Sequence, residues 1–176
     1  DTYDMYRHDI SRTNVAQPSG STSLYGANYY VLTQDYRIYV CLQNGTNPEN
    51  PQGRPSLDEP TFTDLEPKSA GTSNDGYIWK YLYTVKPADI IKFDAVEFIP
   101  VPLNWTRNTE NAEVRDNAAT SGQIKIVTIK NRGIALGAPN RTYTNVPIKG
   151  DGTGAECTIV VNNDRSEEHT SELQSH

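Results

Sequence analysis

Residues 73–87, SNDGYIWKYLYTVKP, carry an aromatic side chain at every second position of one segment. The four aromatic residues are Tyr77, Trp79, Tyr81 and Tyr83. Successive side chains of a β-strand point to opposite faces, so a strand would place all four rings on one face, whereas a helix would scatter them around its axis. The segment therefore predicts a strand with one aromatic face, called the aromatic stripe below, and it favours a fold built from β-sheets.

Two further strands are predicted before the stripe, at 29–33 and 36–43. Gln34-Asp35 separates them, and Asn44-Gly45 after them is a strong turn signal. Asn74-Asp75-Gly76 is a second turn signal, which leads directly into the stripe. Strand, turn and strand in this order predict antiparallel neighbours in one sheet.

A long loop at 46–73 separates the second predicted strand from the stripe and contains five prolines. Proline has no backbone N–H and a fixed φ, so these residues exclude a long helix or a central strand. Phe62 and Leu65 are its best candidates for fastening it to the body of the protein. Loops of this length in compact proteins are usually functional or interfacial, so we predict that this loop is a working surface together with the exposed parts of the aromatic strand.

Helical signals are few and short. The segment PADIIKF at 87–93 suits one helix with proline at its first position, and 107–119 is a second, more polar candidate. Residues 122–133 alternate like a strand, and the glycine-rich turn at 150–154 leads into another run of strand formers, Cys157–Val161.

The composition agrees with these patterns, because the apolar residues are largely Val, Ile and Tyr, while Gly, Pro, Asn, Thr and Ser are plentiful. We predict a mainly β protein, with α+β left open. It would have antiparallel, sandwich-like sheets, long loops rich in proline and glycine, and one or two short helices. The predicted organisation is a β-rich region at 1–104, a helical or linking segment at 105–121 and a C-terminal β module at 122–164.

Residues 165–176, RSEEHTSELQSH, are unlike the preceding chain. Eleven consecutive residues of this tail match the in-frame translation of a common sequencing-library adapter, so we expect the tail to be foreign to the natural protein. The chain also begins without an initiator methionine, and we expect it to be a piece of a longer protein.

Charge and hydropathy exclude some functions. The formal net charge is −6, which argues against a general nucleic-acid-binding surface. No apolar run approaches the roughly 18–20 residues that a membrane-spanning helix needs. Cys41 and Cys157 stand alone in strand-like segments, which favours two buried thiols over a disulfide or a metal site.

Candidate chemistry is sparse, and we predict no catalytic, cofactor-binding or metal-ligating residue and therefore no enzyme. Gly150, Gly152 and Gly154 form a GxGxG string, but strand formers follow it where a dinucleotide-binding loop needs a helix. His8 is the only histidine outside the tail, and no activated serine or cysteine accompanies it. Asp75 and Asp151 stand beside glycines, where turn formation is the ordinary role of aspartate.

The aromatic stripe has two interpretations. A single-stranded nucleic-acid platform would need a positive groove, and only Lys80 and Lys86 lie near the rings. A sugar needs no such charge, so Tyr77, Trp79, Tyr81 and Tyr83 could form a carbohydrate-binding face. The other interpretation is that the rings pack inside the protein or against a partner, with their hydroxyls reaching polar groups at the edge.

Three blocks in order carry a resemblance to a known family: YRIYVCLQNG at 36–45, PSLDEPTFTDLEP at 55–67 and SNDGYIWKYLYTVKP at 73–87. Together they resemble the baseplate wedge subunit, gene product eight, of T-even-like contractile-tailed bacteriophages. Residues 129–161 also resemble a β module of phage tail and baseplate proteins, which implies a glycine-rich turn and, after Pro147, a short strand at Ile148-Lys149.

The resemblance implies a structural virion component without catalytic residues, located in the tail baseplate and assembled in the cytoplasm of the host bacterium. Its implied partners are other wedge subunits and, in the full-length protein, a second copy of itself, with neither nucleic acid nor membrane. The alternative hypothesis is a carbohydrate-binding or adhesin module of a phage tail that uses the stripe. A third is a hydrolase domain whose catalytic half lies outside these residues.

Overall fold

The computed structural model describes residues 1–11, 17–46, 49–93, 95, 98–104, 111–119, 127, 138, 140–161 and 167–169. The chain divides into two compact units, 1–121 and 122–176. The described residues form two antiparallel sheets and only two short α-helices, which confirms the mainly β prediction.

The first unit contains a three-stranded sheet in the order β1-β2-β3. Its strands are β1 (Tyr30–Leu32), β2 (Arg37–Asn44) and β3 (Tyr77–Thr84), and both pairings are antiparallel. The three predicted strands are therefore confirmed to within a residue or two at their ends. The register sets Cys41 opposite Trp79 and Tyr39 opposite Tyr81, with a bulge near each of these pairs.

The two predicted turn signals meet at one end of this sheet. Gly45 and Gly76 both have positive φ, +72° and +85°. A Cβ on Gly76 would lie 2.8 Å from the Cα of Gly45. Glycine is required here for two reasons, because the conformation is left-handed and because the two backbones touch.

The described helices are α1 (Pro87–Phe93) and α2 (Ala112–Ala119), and a 3₁₀ turn covers Leu24–Gly26. Helix α1 has the predicted bounds, and α2 occupies the second half of the predicted 107–119. Ile90 of α1 packs against a core cluster of Ile38, Tyr83 and Val85. Helix α1 therefore packs against the core of the first unit near the C-terminal end of β3.

The second unit contains a sheet in the order β4-β5-β6. Its strands are β4 (Thr142–Pro147), β5 (Glu156–Val161) and β6 (Glu167–His169), and the last lies within the tail at 165–176. The strand predicted over 122–133 falls outside the described residues except for position 127.

The short strand expected at Ile148-Lys149 is wrong, because the strand precedes it at Thr142–Pro147. Thr142, Tyr143 and Val146 are strong strand formers, which explains why this segment pairs. Ile148 instead starts the connection, where its N–H donates to the carbonyl of Ala155 at 2.8 Å. The glycine-rich run after it is a hairpin turn, as the sequence predicts.

Candidate functional site

The aromatic stripe lies in the core of the first unit. Tyr77, Trp79, Tyr81 and Tyr83 are 0%, 1%, 7% and 7% exposed, and the residues between them are half-buried. The predicted common face is therefore present, and it is the covered face of β3. Burial of four large rings on one strand supplies much of the hydrophobic stabilisation of this unit.

The N-terminal segment covers one end of the stripe. The Tyr3 ring stands edge-on to Trp79 at a centroid distance of 5.4 Å and to Tyr77 at 6.3 Å. Tyr77 and Trp79 stack on each other at 5.4 Å with an interplanar angle of 17°. Three rings thus contact one another in the offset and edge-to-face geometries that aromatic side chains prefer.

The long loop covers the middle of the stripe. Phe62 lies edge-on to Tyr39, and Tyr39 lies edge-on to Tyr81 across the strand pair, at 5.4 and 5.7 Å. The Tyr39 hydroxyl also donates to the carbonyl of Phe62. This confirms the prediction that Phe62 fastens the loop to the body.

Buried tyrosine hydroxyls need hydrogen-bond partners, and the stripe provides them. The Tyr77 hydroxyl donates to the carbonyl of Arg54 at 2.7 Å and accepts from the N–H of Tyr3 at 3.0 Å. The Tyr83 hydroxyl donates to the carbonyl of Pro100 at 2.9 Å. Burial raises the pKa of both Tyr77 and Tyr83 to about 12, because it disfavours the phenolate anion.

These contacts decide what the stripe can do chemically. A sugar stacks on a ring face that is open to solvent, and all four ring faces are covered by protein. The stripe therefore provides no stacking surface within this unit. Its rings and hydroxyls instead connect β3 with the N-terminal segment, the long loop and the segment around Pro100.

The rest of the long loop is hydrogen-bonded to the sheet. Lys68 and Trp79 exchange two backbone hydrogen bonds of 3.0 Å each. The Lys80 ammonium donates to the carbonyl of Leu65, the second residue predicted to hold the loop. Leu57 N–H donates to a carboxylate oxygen of Asp75 at 2.8 Å. The loop is therefore a covering layer over the sheet.

One described cavity, of about 300 Å³, lies between this loop and β1. Its lining residues include Asp58, Glu59 and Trp79. Asp58 accepts a hydrogen bond from the N–H of Ser73, which lowers the pKa of its carboxyl group. The backbone N–H of Gln34 donates to Glu59. Both carboxylates are thus engaged by backbone donors in holding the loop.

The other candidate residues keep structural roles or stand apart. His8 is exposed, and no group of three or more potential metal ligands occurs among the described residues. Cys41 is fully buried, which raises the pKa of its thiol well above the ordinary value, while Cys157 is half-buried. Asp75 accepts from the backbone N–H groups of Leu57 and Tyr77, so its role is to shape the turn.

Sequence reasoning missed a buried carboxylate near the N-terminus. Asp4 is 1% exposed and accepts hydrogen bonds from Ser19 N–H at 3.0 Å, from the Ser19 hydroxyl and from Asn28 N–H at 2.7 Å. A charged group inside the protein needs such donors to offset its desolvation. Nothing in the local pattern distinguishes Asp4 from Asp1 or Asp9, because its partners are distant in sequence.

A second missed feature is an exposed apolar segment. Four large apolar side chains between 91 and 103 are 69–104% exposed: Ile91, Phe98, Val101 and Leu103. Their neighbours Ile90 and Ile99 both pack against the same core cluster, which brings the two parts of this segment together. We call these four side chains the exposed apolar patch. Exposed apolar side chains that are grouped on one part of a protein commonly mark a protein contact.

Fold and site together define a mainly β chain whose aromatic stripe is a packing element and which, among the described residues, exposes four large apolar side chains between 91 and 103. None of the helices in the described part of the chain is long and apolar enough to cross a membrane. Protein-family models, curated proteins and solved structures gave no match to this chain.

Proposed function

We propose that this chain is a structural subunit of a bacteriophage tail baseplate wedge and acts through protein–protein contacts during virion assembly. The ordered sequence blocks at 36–45, 55–67 and 73–87 point to the baseplate. The observation that supports a contact role is the exposed apolar patch. Other wedge subunits are the partners that this role requires, and the tail baseplate of the virion is its place.

The geometry of the patch suits docking by a partner. Ile99 and the carbonyl of Pro100 hold the segment to the core, through the Ile38 cluster and the Tyr83 hydroxyl respectively. Phe98 and Val101 flank these attachments and are 71% and 69% exposed. Pro100 and Pro102 have no N–H to satisfy, and they limit the conformational entropy that the segment loses on binding. A held segment with exposed anchors resembles the centre of a protein interface.

The test is co-expression of this protein, in its full-length form, with the other wedge subunits of the parent phage, followed by affinity capture and mass analysis. We expect a stable co-complex. The double variant Phe98→Ser, Leu103→Ser should reduce capture at least tenfold, because it removes two exposed apolar anchors without entering the core.

A matched control distinguishes this surface from others. Tyr25→Ser replaces an equally exposed aromatic residue outside the patch and should leave capture unchanged. Leu57→Ser tests the outer side of the long loop, the surface predicted from the sequence. The absence of any co-complex with the unmodified protein would refute the proposed function, whereas equal capture by the Phe98/Leu103 variant would refute only the assignment of the patch.

A further inference from the structure

Strand β1 is an edge strand of the first sheet, so one of its two sides faces away from β2. The carbonyl of Tyr29 accepts a hydrogen bond of 2.8 Å from β2, and the N–H of Thr33 donates one of 2.9 Å to β2. The backbone groups of these two residues therefore point towards β2. Because this direction alternates along an antiparallel strand, the N–H and C=O groups of Tyr30 and Leu32 point away from β2.

The outward backbone groups of Tyr30 and Leu32 receive no hydrogen bond from the described part of the chain. The other edge of the sheet differs, because the backbone of Trp79 on β3 exchanges two hydrogen bonds with Lys68. Strand edges are usually protected by lysine, proline, a bulge or a covering segment. Strand β1 contains neither lysine nor proline, and it pairs with β2 without a bulge. An edge of this kind can bind an extended chain through main-chain hydrogen bonds.

The cavity of about 300 Å³ lies beside this edge. Its lining consists of residues 31–34 from β1 and the turn after it, residues 56–60 from the long loop, Asp1, Tyr3 and Trp79. Side chains alternate between the two faces of a strand, so a cavity confined to one face would be lined by every second residue. Lining by consecutive residues instead indicates a cavity that runs along the strand. We call it the β1 groove, with β1 as one wall and the long loop as the other.

The β1 groove is acidic. Asp1, Asp58 and Glu59 line it, and no lysine, arginine or histidine is among its described lining residues. Neither Asp58 nor Glu59 forms an ion pair with a lysine or arginine of the described chain. Both accept backbone hydrogen bonds, but an ionised carboxylate offers about four acceptor sites, so each keeps the capacity for a further donor. A lysine or arginine side chain would supply both the donor and the positive charge.

We propose that the β1 groove binds an extended segment of a partner protein that carries lysine or arginine, and that this segment adds a strand to the sheet at β1. Main-chain hydrogen bonds to Tyr30 and Leu32 hold the segment, while Asp58 and Glu59 select a basic side chain. Leu57, which is 68% exposed on the loop wall, offers an apolar contact. A strand rises about 3.3 Å per residue, so the three residues of β1 pair with roughly three residues of the partner.

This inference concerns a second contact surface. The β1 groove shares no residue with the exposed apolar patch, and the argument for it uses the strand edge and the charge of the groove. It is therefore independent of the proposed role in the baseplate and can fail or succeed separately.

The first test adds a synthetic peptide of alternating lysine and valine, five residues long and blocked at both ends, to the isotope-labelled full chain. Nuclear magnetic resonance follows each backbone amide. We expect saturable shifts and slower hydrogen exchange at Tyr30 and Leu32 at up to millimolar peptide, and at least tenfold weaker binding of the matched peptide of glutamate and valine. No saturable shift at these amides, or equal binding of the acidic peptide, would overturn the proposal. Shifts at these amides that grow with protein concentration alone would identify a second copy as the occupant and would overturn it too.

The second test separates strand addition from attraction between charges. The same lysine and valine peptide with a methyl group on every backbone nitrogen keeps its positive charges but has no main-chain donor. It should bind at least tenfold more weakly than the unmodified peptide, because the carbonyls of Tyr30 and Leu32 then lack partners. Equal affinity of the two peptides would exclude main-chain pairing and overturn the proposal.

The third test locates the charge that selects the peptide. Glu59→Gln keeps an acceptor for the N–H of Gln34 and removes one negative charge, so it should weaken binding about two- to fivefold, as expected for an exposed ion pair. Asp151→Asn is the control, because it makes the same change of net charge at an exposed position that does not line the groove. It should leave the affinity unchanged. Equal affinities of the two variants would overturn the assignment of Glu59 and with it the selection of a basic partner.

Discussion

The two sheets have the same number of strands and the same antiparallel pairing, yet they are covered to very different degrees. In β2 every residue from Ile38 to Asn44 is buried, and in β3 the stripe face is buried throughout. In β4 no residue is buried, and in β5 only Val161 is. Antiparallel pairing is therefore common to the two sheets, while hydrophobic burial is concentrated in the first.

The difference shows what covers a small sheet in this molecule. The first sheet is covered by irregular chain: Tyr3 and the N-terminal segment, the proline-rich loop and the segment around Pro100. The sheet is small, with no strand longer than eight residues. Without these covering segments, its aromatic face would be open to water. The loop thus has the role that a second sheet has in a sandwich.

The largest expected effect is in the covered sheet. Trp79→Ala should lower the free energy of unfolding of the first unit by about 3–5 kcal/mol, because it removes a fully buried aromatic side chain. Val161→Ala, the corresponding change in the second sheet, should cost only about 1–2 kcal/mol, since it removes two methyl groups. Hydrogen exchange resolved by segment, over a urea series, measures both effects separately.

Trp79→Phe is the matched control for this comparison. It keeps a ring in the stack and removes an indole N–H that has no hydrogen-bond partner among the described residues. It should therefore cost clearly less than Trp79→Ala. If Trp79→Ala and Val161→Ala destabilised their units equally, the contrast in burial would not govern stability.

The second effect concerns the turns. Gly76→Ala places a Cβ 2.8 Å from the Gly45 backbone and forces alanine into positive φ, so we expect a loss of about 2–3 kcal/mol. Gly152→Ala in the turn between β4 and β5 meets no atom within 4 Å and should change stability by less than about 0.5 kcal/mol. Urea denaturation followed by circular dichroism, with exchange data to identify the unit, tests the pair. A large effect at Gly152 would show that the open hairpin is as constrained as the packed turn.

The third effect isolates a hydroxyl group. Tyr77→Phe keeps the ring but leaves the carbonyl of Arg54 and the N–H of Tyr3 without their partner, so it should cost about 1–2 kcal/mol at neutral pH. Tyr25→Phe, at a fully exposed position, is the control and should have no measurable effect. Denaturation midpoints for the two variants give the comparison directly, and equal midpoints would contradict it.

The same hydroxyl groups make stability sensitive to alkaline pH. The pKa values of Tyr77 and Tyr83 are raised to about 12 from the ordinary 10, so the folded protein keeps protons that the unfolded chain releases. This contribution is complete below pH 10 and disappears as the pH rises from about 10 to 12. Denaturation midpoints across that range should fall, and they should fall less steeply in Tyr77→Phe. An unchanged slope would show that Tyr77 does not titrate in this window.

Much of the first sheet follows from local sequence signals. Aromatic residues at every second position specify β3. The turn signals Asn44-Gly45 and Asp75-Gly76 mark the end of β2 and the start of β3, because these patterns reflect constraints between neighbouring residues. The same locality explains α1, which has proline at its first position. Strand β4 was not predicted from the sequence. Its polar residues Thr142, Thr144 and Asn145 do not give a clear alternation of polar and apolar positions, and its partner strand lies beyond a glycine-rich turn.

The candidate site, too, could be predicted from the sequence only in part. The sequence predicts that Tyr77, Trp79, Tyr81 and Tyr83 share a face, but the coverage of that face depends on Tyr3 and Phe62, which are distant in sequence. The sequence does not indicate that Phe98 and Leu103 are exposed, because an apolar residue is expected to lie in the core until its surroundings are known. Long-range packing therefore makes the aromatic stripe part of the core and not an open stacking surface.

The smallest expected effect concerns the C-terminal end of β3, an edge strand of the first sheet. The Asn111 side chain accepts from Thr84 N–H at 2.9 Å and donates to Thr84 C=O at 3.2 Å, as a neighbouring strand would. Asn111→Ala should cost about 1 kcal/mol and increase amide exchange at Thr84 selectively, because solvent replaces a buried polar pair. Asn111→Asp keeps the acceptor and loses the donor, so it should protect Thr84 N–H better than alanine does. If neither variant altered exchange at Thr84, the end of β3 would owe its protection to the packing of Tyr83 and Val85.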